Sequence, residues 1–253
     1  MKNPEINVSK SLTELLFPKK IGQLVAVYSR RQDGNMSLSY GDTTRSLDNR
    51  KLFLSNLGID YRNLVCAKQI HSANIYAVSK IDAGKGALTY DAAIPDTDSL
   101  ITDQPDLPLA VLTADCLPVF LYDPLTPAVG IVHAGWRSAK EKIVLKTIQM
   151  MQKRFNTQAA HLQAAFGPAI DKCCCEVEEE FSGFFPGRVG EREKRLYLDL
   201  LGVNVEQLLS AGVKKENITD SAECTFCQDK DYFSFRKEGA ASGRMLSVIM
   251  LKG

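Results

Sequence analysis

Three apolar runs follow one another in the middle of the chain: LPLAVLTAD (107–115), LPVFLYD (117–123) and AVGIVHAGW (128–136). They are dense in Val, Leu and Ile with little polar alternation, which predicts strands covered on both faces. IGQLVAVYSR (21–30) predicts an earlier strand and LQAAFGPAI (162–170) a later one. NLVCAKQIHSANIYAVS (63–79) predicts two short strands with a bend near Ser72–Asn74. Elsewhere the period changes. GDTTRSLDNRKLFLSNLG (41–58) predicts a helix with Asp42 as N-cap and Gly58 as its stop. SAKEKIVLKTIQMMQKRF (138–155) opens on a capping-box pattern, Ser138 with Glu141, and repeats Ile143, Val144, Ile148 and Met151 at helical spacing. DLLGVNVEQLLSAG (199–212) predicts a further helix ending in glycine, and YFSFRKEGAASGRMLSVIML (232–251) a loop between strands. Helices and strands intersperse without a linker. The pattern predicts one α/β catalytic domain over 1–253, with mixed β-sheets flanked by helices in a four-layer αββα stack.

Composition narrows the class. With 45% hydrophobic and 24% charged residues over 253 positions, the chain is of ordinary globular type. At that length roughly three quarters of the extended surface can be buried, so neither disulfide nor structural metal is required for folding. The formal charge is +1, from 31 basic and 30 acidic residues. Such a balance gives no electrostatic case for nucleic acid or for an acidic membrane. The opening MKNPEINVSKSLTELLFPKK carries no apolar core of signal-peptide length, and no apolar run approaches the ~20 residues of a membrane span. Seven cysteines, three of them consecutive at 173–175, suit a reducing compartment better than a disulfide framework. The expected location is the cytoplasm.

The chain has three histidines, and two of them share a setting with one cysteine. His71, Cys116 and His133 each stand at the edge of an apolar run. In α/β folds the ends of core strands present side chains to a cleft from a rigid backbone. Two imidazoles and a thiolate suit Zn²⁺ and leave a fourth position open, the pattern of a catalytic zinc. Spacing alone leaves other readings open, because the gaps of 45 and 17 residues are far from those of a compact zinc motif. Cys116 also reads as a small buried hydrophobe and His133 as a satisfied core histidine, or the two as the nucleophile and base of a Cys–His hydrolase.

Resemblance adds to this reading. TADCLPVFLYDP followed by GIVHAGWR resembles the central signature of the multicopper polyphenol oxidoreductase laccase family, whose members are also assigned purine nucleoside phosphorylase and adenosine deaminase activity. GNMSLSYGDTTRSLDNRKLF, KQIHSANI, DSLITDQPDLPLAVLTADC, GPAIDKCCCEV and FSFRKEGAASGRM resemble further ordered motifs of that family, over roughly residues 35 to 250. The resemblance places zinc ligands on His71, Cys116 and His133, with copper as the alternative ion. This chain departs from the family pattern at Ser72 and Ser138, where glycine is usual, and at Cys175, where tyrosine is. Ser138 reads as a better helix N-cap than glycine, and Cys175 as a change in a pocket wall.

The implied substrates are a purine nucleoside and phosphate. Zinc makes water reactive near neutral pH, which suits deamination at purine C6; phosphorolysis needs an anion clamp, for which arginine's planar fork is apt. Arg50, Arg236 and Arg244 are the candidates, each with a solvated helix face or surface ion pair as its plainer reading. Asn35 is a candidate for nucleoside contact or for a turn cap after Gly34. Asp115 is a candidate catalytic residue, orienting a ligand or accepting a proton, or a carboxylate that merely finishes a strand. Trp136 reads as packing beside a strand end. Three adjacent cysteines cannot all reach one ion in extended chain, so one or two of Cys173–Cys175 read as packing. Cys224 and Cys227 form a C-x-x-C match without a second such pair. The expected function is a zinc-dependent phosphorylase for adenosine, inosine and S-methyl-5′-thioadenosine, with adenosine deamination beside it. A copper polyphenol oxidase and a Cys–His hydrolase are the alternatives. Copper oxidase chemistry on O₂ calls for more histidines than three. Monomer and small homo-oligomer both stay open.

Overall fold

The structure, a computed structural model, describes residues 16–17, 24–220 and 223–253. Apart from Leu16 and Phe17, the N-terminal segment read for a signal peptide lies outside the described residues, as do positions 21–23 of the first expected strand. In chain order the strands are β1 Leu24–Tyr28, β2 Val65–Cys66, β3 Ile75–Ala77, β4 Ser99–Thr102, β5 Leu109–Thr113, β6 Leu117–Asp123 and β7 Ala128–Ala134. They continue with β8 Gln163–Phe166, β9 Glu176–Val177, β10 Val189–Arg192, β11 Arg195–Leu198, β12 Ile218–Thr219 and β13 Met245–Leu251. The helices are α1 Thr43–Ser55, α2 Trp136–Lys140, α3 Ile143–Phe155, α4 Glu180–Phe184, α5 Leu200–Ser210 and α6 Phe235–Glu238.

Two mixed sheets form the centre, with strand orders β1-β13-β5-β2 and β12-β8-β6-β7-β4-β3; β10-β11-β9 form a small third sheet. All seven residues of β6 and of β7 are buried, as their unbroken apolar runs require. Alternation then sorts them between two cores. Phe120, Tyr122, Val129 and Ile131 pack with the four-stranded sheet and α1. Val119, Leu121, Val132 and Ala134 pack with Ile143, Val144, Ile148 and Met151 of α3. The order helix, sheet, sheet, helix follows. Each of those four α3 side chains contributes about 1.5–3 kcal/mol by leaving water. Gly130 lets the helix approach, since a Cβ there would stand 3.3 Å from Met151 Sδ.

The sequence signals at helix ends hold at Asp42, at Gly58 and at Gly212, whose φ is 96, and fail at Ser138. Asp42 accepts from Arg45 N at 3.2 Å, and Gly58 closes the α1 exit at φ 71. The expected helix over 138–155 is instead two helices, parted at Lys142, whose φ is 62. Gly135, not Ser138, is the cap residue of α2. Ser138 lies one turn inside it, fully buried, with Oγ donating to the carbonyls of His133 at 3.1 Å and Gly135 at 3.0 Å. Its hydroxyl turns back to the end of β7 and the cap of α2 and accepts from no amide of the next turn. The segment expected as a loop over 232–251 contains α6 and ends in β13, the strand between β1 and β5.

Register gathers the functional segments. β2 runs parallel to β5, so both leave the four-stranded sheet at one end, and both cross to the other sheet, as β3 and β6. Leu117 pairs with Ala134, Ser99 with Val132 and Ile75 with Ser99. The starts of β3, β4 and β6 and the end of β7 therefore share one edge, and the two crossovers arrive there.

Candidate active site

His71 sits in the β2–β3 crossover, four residues before the strand rather than at a strand end as expected, with φ 61. Cys116 closes the β5–β6 crossover directly after Asp115, whose φ is 88. His133 is the penultimate residue of β7. Left-handed backbone at non-glycine positions costs about 1–3 kcal/mol and persists where surroundings impose it. Here the agent at His71 is Asp98, a fully buried carboxylate just before β4. It accepts from the amides of Ile70 at 3.2 Å, His71 at 2.9 Å and Ser72 at 2.7 Å, and from Ser72 Oγ at 2.8 Å. The successive N–H groups form an anion-holding concavity. The serine that departs from the family pattern adds one more donor to it.

The same carboxylate takes Nδ1 of His133 at 2.8 Å. Burial opposes its charge, but hydrogen bonds from His133 and Ser72 outweigh burial and hold Asp98 below the usual carboxylate range. With Nδ1–H engaged, His133 presents Nε2. Ligand atoms of His71, Cys116 and His133 all lie within 4.8 Å of one another, with Cys116 Sγ 3.8 Å from His71 Nε2. Burial alone would raise the Cys116 thiol, yet the two imidazoles bring it down to about 6. The partner effect on His133 is opposite: burial lowers it, and Cys116 and Asp98 together raise it to about 9. A thiolate and two imidazoles, one of them oriented by a carboxylate, make a donor set that suits zinc. The residues fit the ion. Gly135 keeps the approach open, because a Cβ there would stand 2.9 Å from His71 Cδ2 and 3.0 Å from Cys116 Sγ.

These groups line a cleft of about 500 Å³. Arg137, Arg236 and Arg244 line it too, with Tyr40, Tyr90 and Phe235. Arg244 lies over the Tyr40 ring at 4.4 Å and near that of Phe235 at 5.6 Å. Arg137 stacks on Trp136 at 4.2 Å. Trp136 itself packs on Phe181, with ring centroids 4.9 Å apart, while also reaching the cleft. Cys175 is buried in the cleft wall.

Two expected substrate residues are not brought to the cleft. Arg50 is 2% exposed; its Nε donates to Met36 O at 2.7 Å and its Nη1 to Gly86 O at 2.9 Å and Ala87 O at 3.2 Å. It ties α1 to two loops. Asn35 Oδ1 accepts from Arg244 N at 2.9 Å and Ser37 N at 3.1 Å, and Nδ2 donates to Tyr40 O at 2.7 Å. It is a turn cap. Asp115 lines the cleft, but its oxygens accept from Thr225 Oγ1 at 2.7 Å and Arg236 N at 2.6 Å.

Asp98, Gly135 and Arg137 were missed in the sequence. Arg137 and Gly135 stand inside the HAGWR stretch and were within reach of it. Asp98 is one of several acids in YDAAIPDTDS, with no local signal to single it out.

Residues 17–252 match the sequence model of the family described as multi-copper polyphenol oxidoreductase laccase. The chain belongs to that family, and its relatives make it an enzyme. It is 35% identical over 227 residues to purine nucleoside phosphorylase YlmD of Geobacillus stearothermophilus, covering 85% of this chain and 82% of the relative. It is 31% identical over 220 residues to adenosine deaminase RL5 of an unknown prokaryotic organism, covering 83% and 84%. Its fold matches the crystal structure of the hypothetical protein YfiH of Bacillus licheniformis with a TM-score of 0.87, at 33% identity over 90% of this chain and 93% of that one. Among the described residues no helix is long and apolar enough to cross a membrane.

Proposed function

We propose that this chain is a zinc-dependent purine nucleoside phosphorylase acting on adenosine, inosine and S-methyl-5′-thioadenosine, with adenosine deaminase activity at the same centre. The observation that carries the proposal is the meeting of His71, Cys116 and His133 at a cleft lined by Arg137, Arg236 and Arg244. The names of the phosphorylase and deaminase relatives support the substrate class. A nucleoside and phosphate suit the volume, since small-ligand clefts run from about 300 to 1,000 Å³. We place the enzyme in the cytoplasm and treat it as one catalytic domain.

His71, Cys116 and His133 would hold the zinc, which would supply a Lewis acid and a water made reactive near neutral pH. The chain's own groups do the rest. Asp98 fixes the His133 ring and the His71 backbone, so the ligands need not reorganise. The arginine forks bind phosphate through paired charge-assisted hydrogen bonds. The rings of Tyr40, Tyr90 and Phe235 offer flat faces to the base. A phosphate oxygen then attacks sugar C1′ as the bond to the purine nitrogen breaks, and the departing purine keeps that electron pair and takes up a proton. Asp115, both oxygens occupied, acts by positioning Cys116 and Arg236.

Metal-replete protein given adenosine and phosphate is expected to release adenine and ribose 1-phosphate, read by chromatography. Inosine and ammonia formed without phosphate report the deaminase reaction. Neither product, or full activity in Cys116→Ala, overturns the proposal. Phenol-dependent oxygen uptake by copper-loaded protein alone supports the oxidase reading suggested by the family's name. Inactivation by iodoacetamide but not by chelators supports the Cys–His hydrolase.

A further inference from the structure

A second group of sulfur atoms lies outside the centre just described. Cys173 and Cys174 come together with Cys224 and Cys227, all four Sγ atoms within 4.8 Å of one another. Cys227 Sγ stands 3.4 Å from Cys174 Sγ and 3.6 Å from Cys173 Sγ. We infer that these four cysteines form a tetrathiolate site for a structural zinc ion, which staples the 171–175 turn to the 224–227 turn.

Magnitudes separate this from the alternatives. Zinc–sulfur bonds of about 2.3 Å in a tetrahedron place sulfurs about 3.8 Å apart. A disulfide needs about 2.05 Å between two of them. The spacings of 3.4 and 3.6 Å sit close to the first value, and all four atoms lie within 4.8 Å of one another, which no pairwise bridge requires. Cys173 and Cys174 lie in a turn, not a strand, so their side chains escape the alternation that drives neighbours to opposite faces. Cys175, where extended chain resumes, turns away into the cleft wall. The C-x-x-C pair thus finds its second pair in adjacent residues.

The backbone around the site supports thiolates. The amide of Asp171 donates to Cys224 Sγ at 3.5 Å. Donors aimed at a ligand atom are the outer support that metal sites carry. Arg192 lies alongside, its Nη2 donating to Cys173 O at 2.7 Å, and offsets part of the negative charge of a zinc tetrathiolate. The segments held are those that shape the cleft. Ala169 bridges to Cys224, Thr225 anchors Asp115, and Cys175 follows the turn directly. A sequence this long has no need of a metal for global folding, so the ion's role is to hold this wall in place.

The inference does not depend on the proposed reaction, and its test reads metal and thiols rather than turnover. Purified full-length protein grown with zinc is expected to hold two zinc ions per chain by elemental analysis. Cys116→Ala is expected to retain one, and the double variant Cys224→Ser/Cys227→Ser to retain one. In the wild type, iodoacetamide followed by peptide mass spectrometry is expected to leave Cys173, Cys174, Cys224 and Cys227 unmodified until a strong chelator is added. Should the double variant fail to fold, this footprint and Cys116→Ala still decide. A folded Cys116→Ala protein without zinc, alkylation of the four thiols at equal rates with and without chelator, or a mass two hydrogens short from a disulfide among them would each overturn it.

Discussion

The carboxylate of Asp98 stands 2.8 Å from Nδ1 of His133 and 2.9 Å from the backbone nitrogen of His71. One buried acid thereby orients one proposed ligand through its ring and another through its backbone. Asp98→Asn keeps the shape but replaces an acceptor oxygen by a donor and removes the charge. Zinc affinity is expected to fall roughly ten- to hundredfold, measured by competition with a chromophoric chelator. Unchanged affinity in the folded variant would remove Asp98 from the centre.

Gly135→Ala introduces one methyl group between two proposed ligands. Its Cβ meets His71 Cδ2 at 2.9 Å, closer than real Cβ atoms settle, and Cys116 Sγ at 3.0 Å, a tight contact. Backbone φ of −77 is open to alanine, so helical content by circular dichroism should persist while zinc occupancy falls. Full occupancy would mean that the crossovers yield more than their hydrogen bonds suggest.

Arg50 separates stability from activity. Arg50→Lys retains the charge and loses the fork that serves three carbonyls. The expected loss is about 1.5–3 kcal/mol in urea unfolding, with the phosphate KM unchanged. A raised phosphate KM would return Arg50 to the list of substrate residues.

For Arg137→Ala, Arg236→Ala and Arg244→Ala the pattern reverses. A lost charge-assisted hydrogen bond to phosphate corresponds to roughly ten- to hundredfold weaker binding. Steady-state kinetics with phosphate as the varied substrate should place the rise in its KM for all three, while Arg236→Ala and Arg244→Ala also lose bonds to the carbonyls of Glu176 and of Ser242 and Gly243 and with them about 1 kcal/mol of stability. Three variants with wild-type phosphate KM would refute the clamp.

Removal of the proposed zinc is expected to expose the Cys116–His133 pair. Its thiolate–imidazolium form exists between about 6 and about 9. Cys116 is lowered in the folded state, so its stabilising contribution is complete above its unfolded value and lost as pH falls through about 6. His133 is raised, so its contribution is present below its unfolded value near 6.5 and lost as pH rises through about 9. Alkylation of Cys116 in chelator-treated protein should therefore be half-maximal near pH 6. A midpoint at the ordinary thiol value would show that the imidazoles do not reach it.

Several features of the fold are legible position by position. The unbroken apolar runs at 109–113, 117–123 and 128–134 are strands buried on both faces. Asp42 and Gly58 bound a helix because their side chain and backbone act within one turn of themselves. Ser138 looked like the same kind of signal and is not, since its hydroxyl donates back to the carbonyls of His133 and Gly135 instead of accepting from an amide of the next turn.

What the chain determines by itself is local: hydrophobic period, turn chemistry, and the presence of a few residues whose chemistry is rare in it. Those depend on atoms no more than a turn or a strand away. The meeting of His71, Cys116 and His133, the role of Asp98 between them, the withdrawal of Arg50 into the interior and the joining of two cysteine pairs 50 residues apart are decided by register and by two parallel crossovers between sheets. Contacts of that kind form only when distant segments have already paired, and no spacing along the chain encodes them.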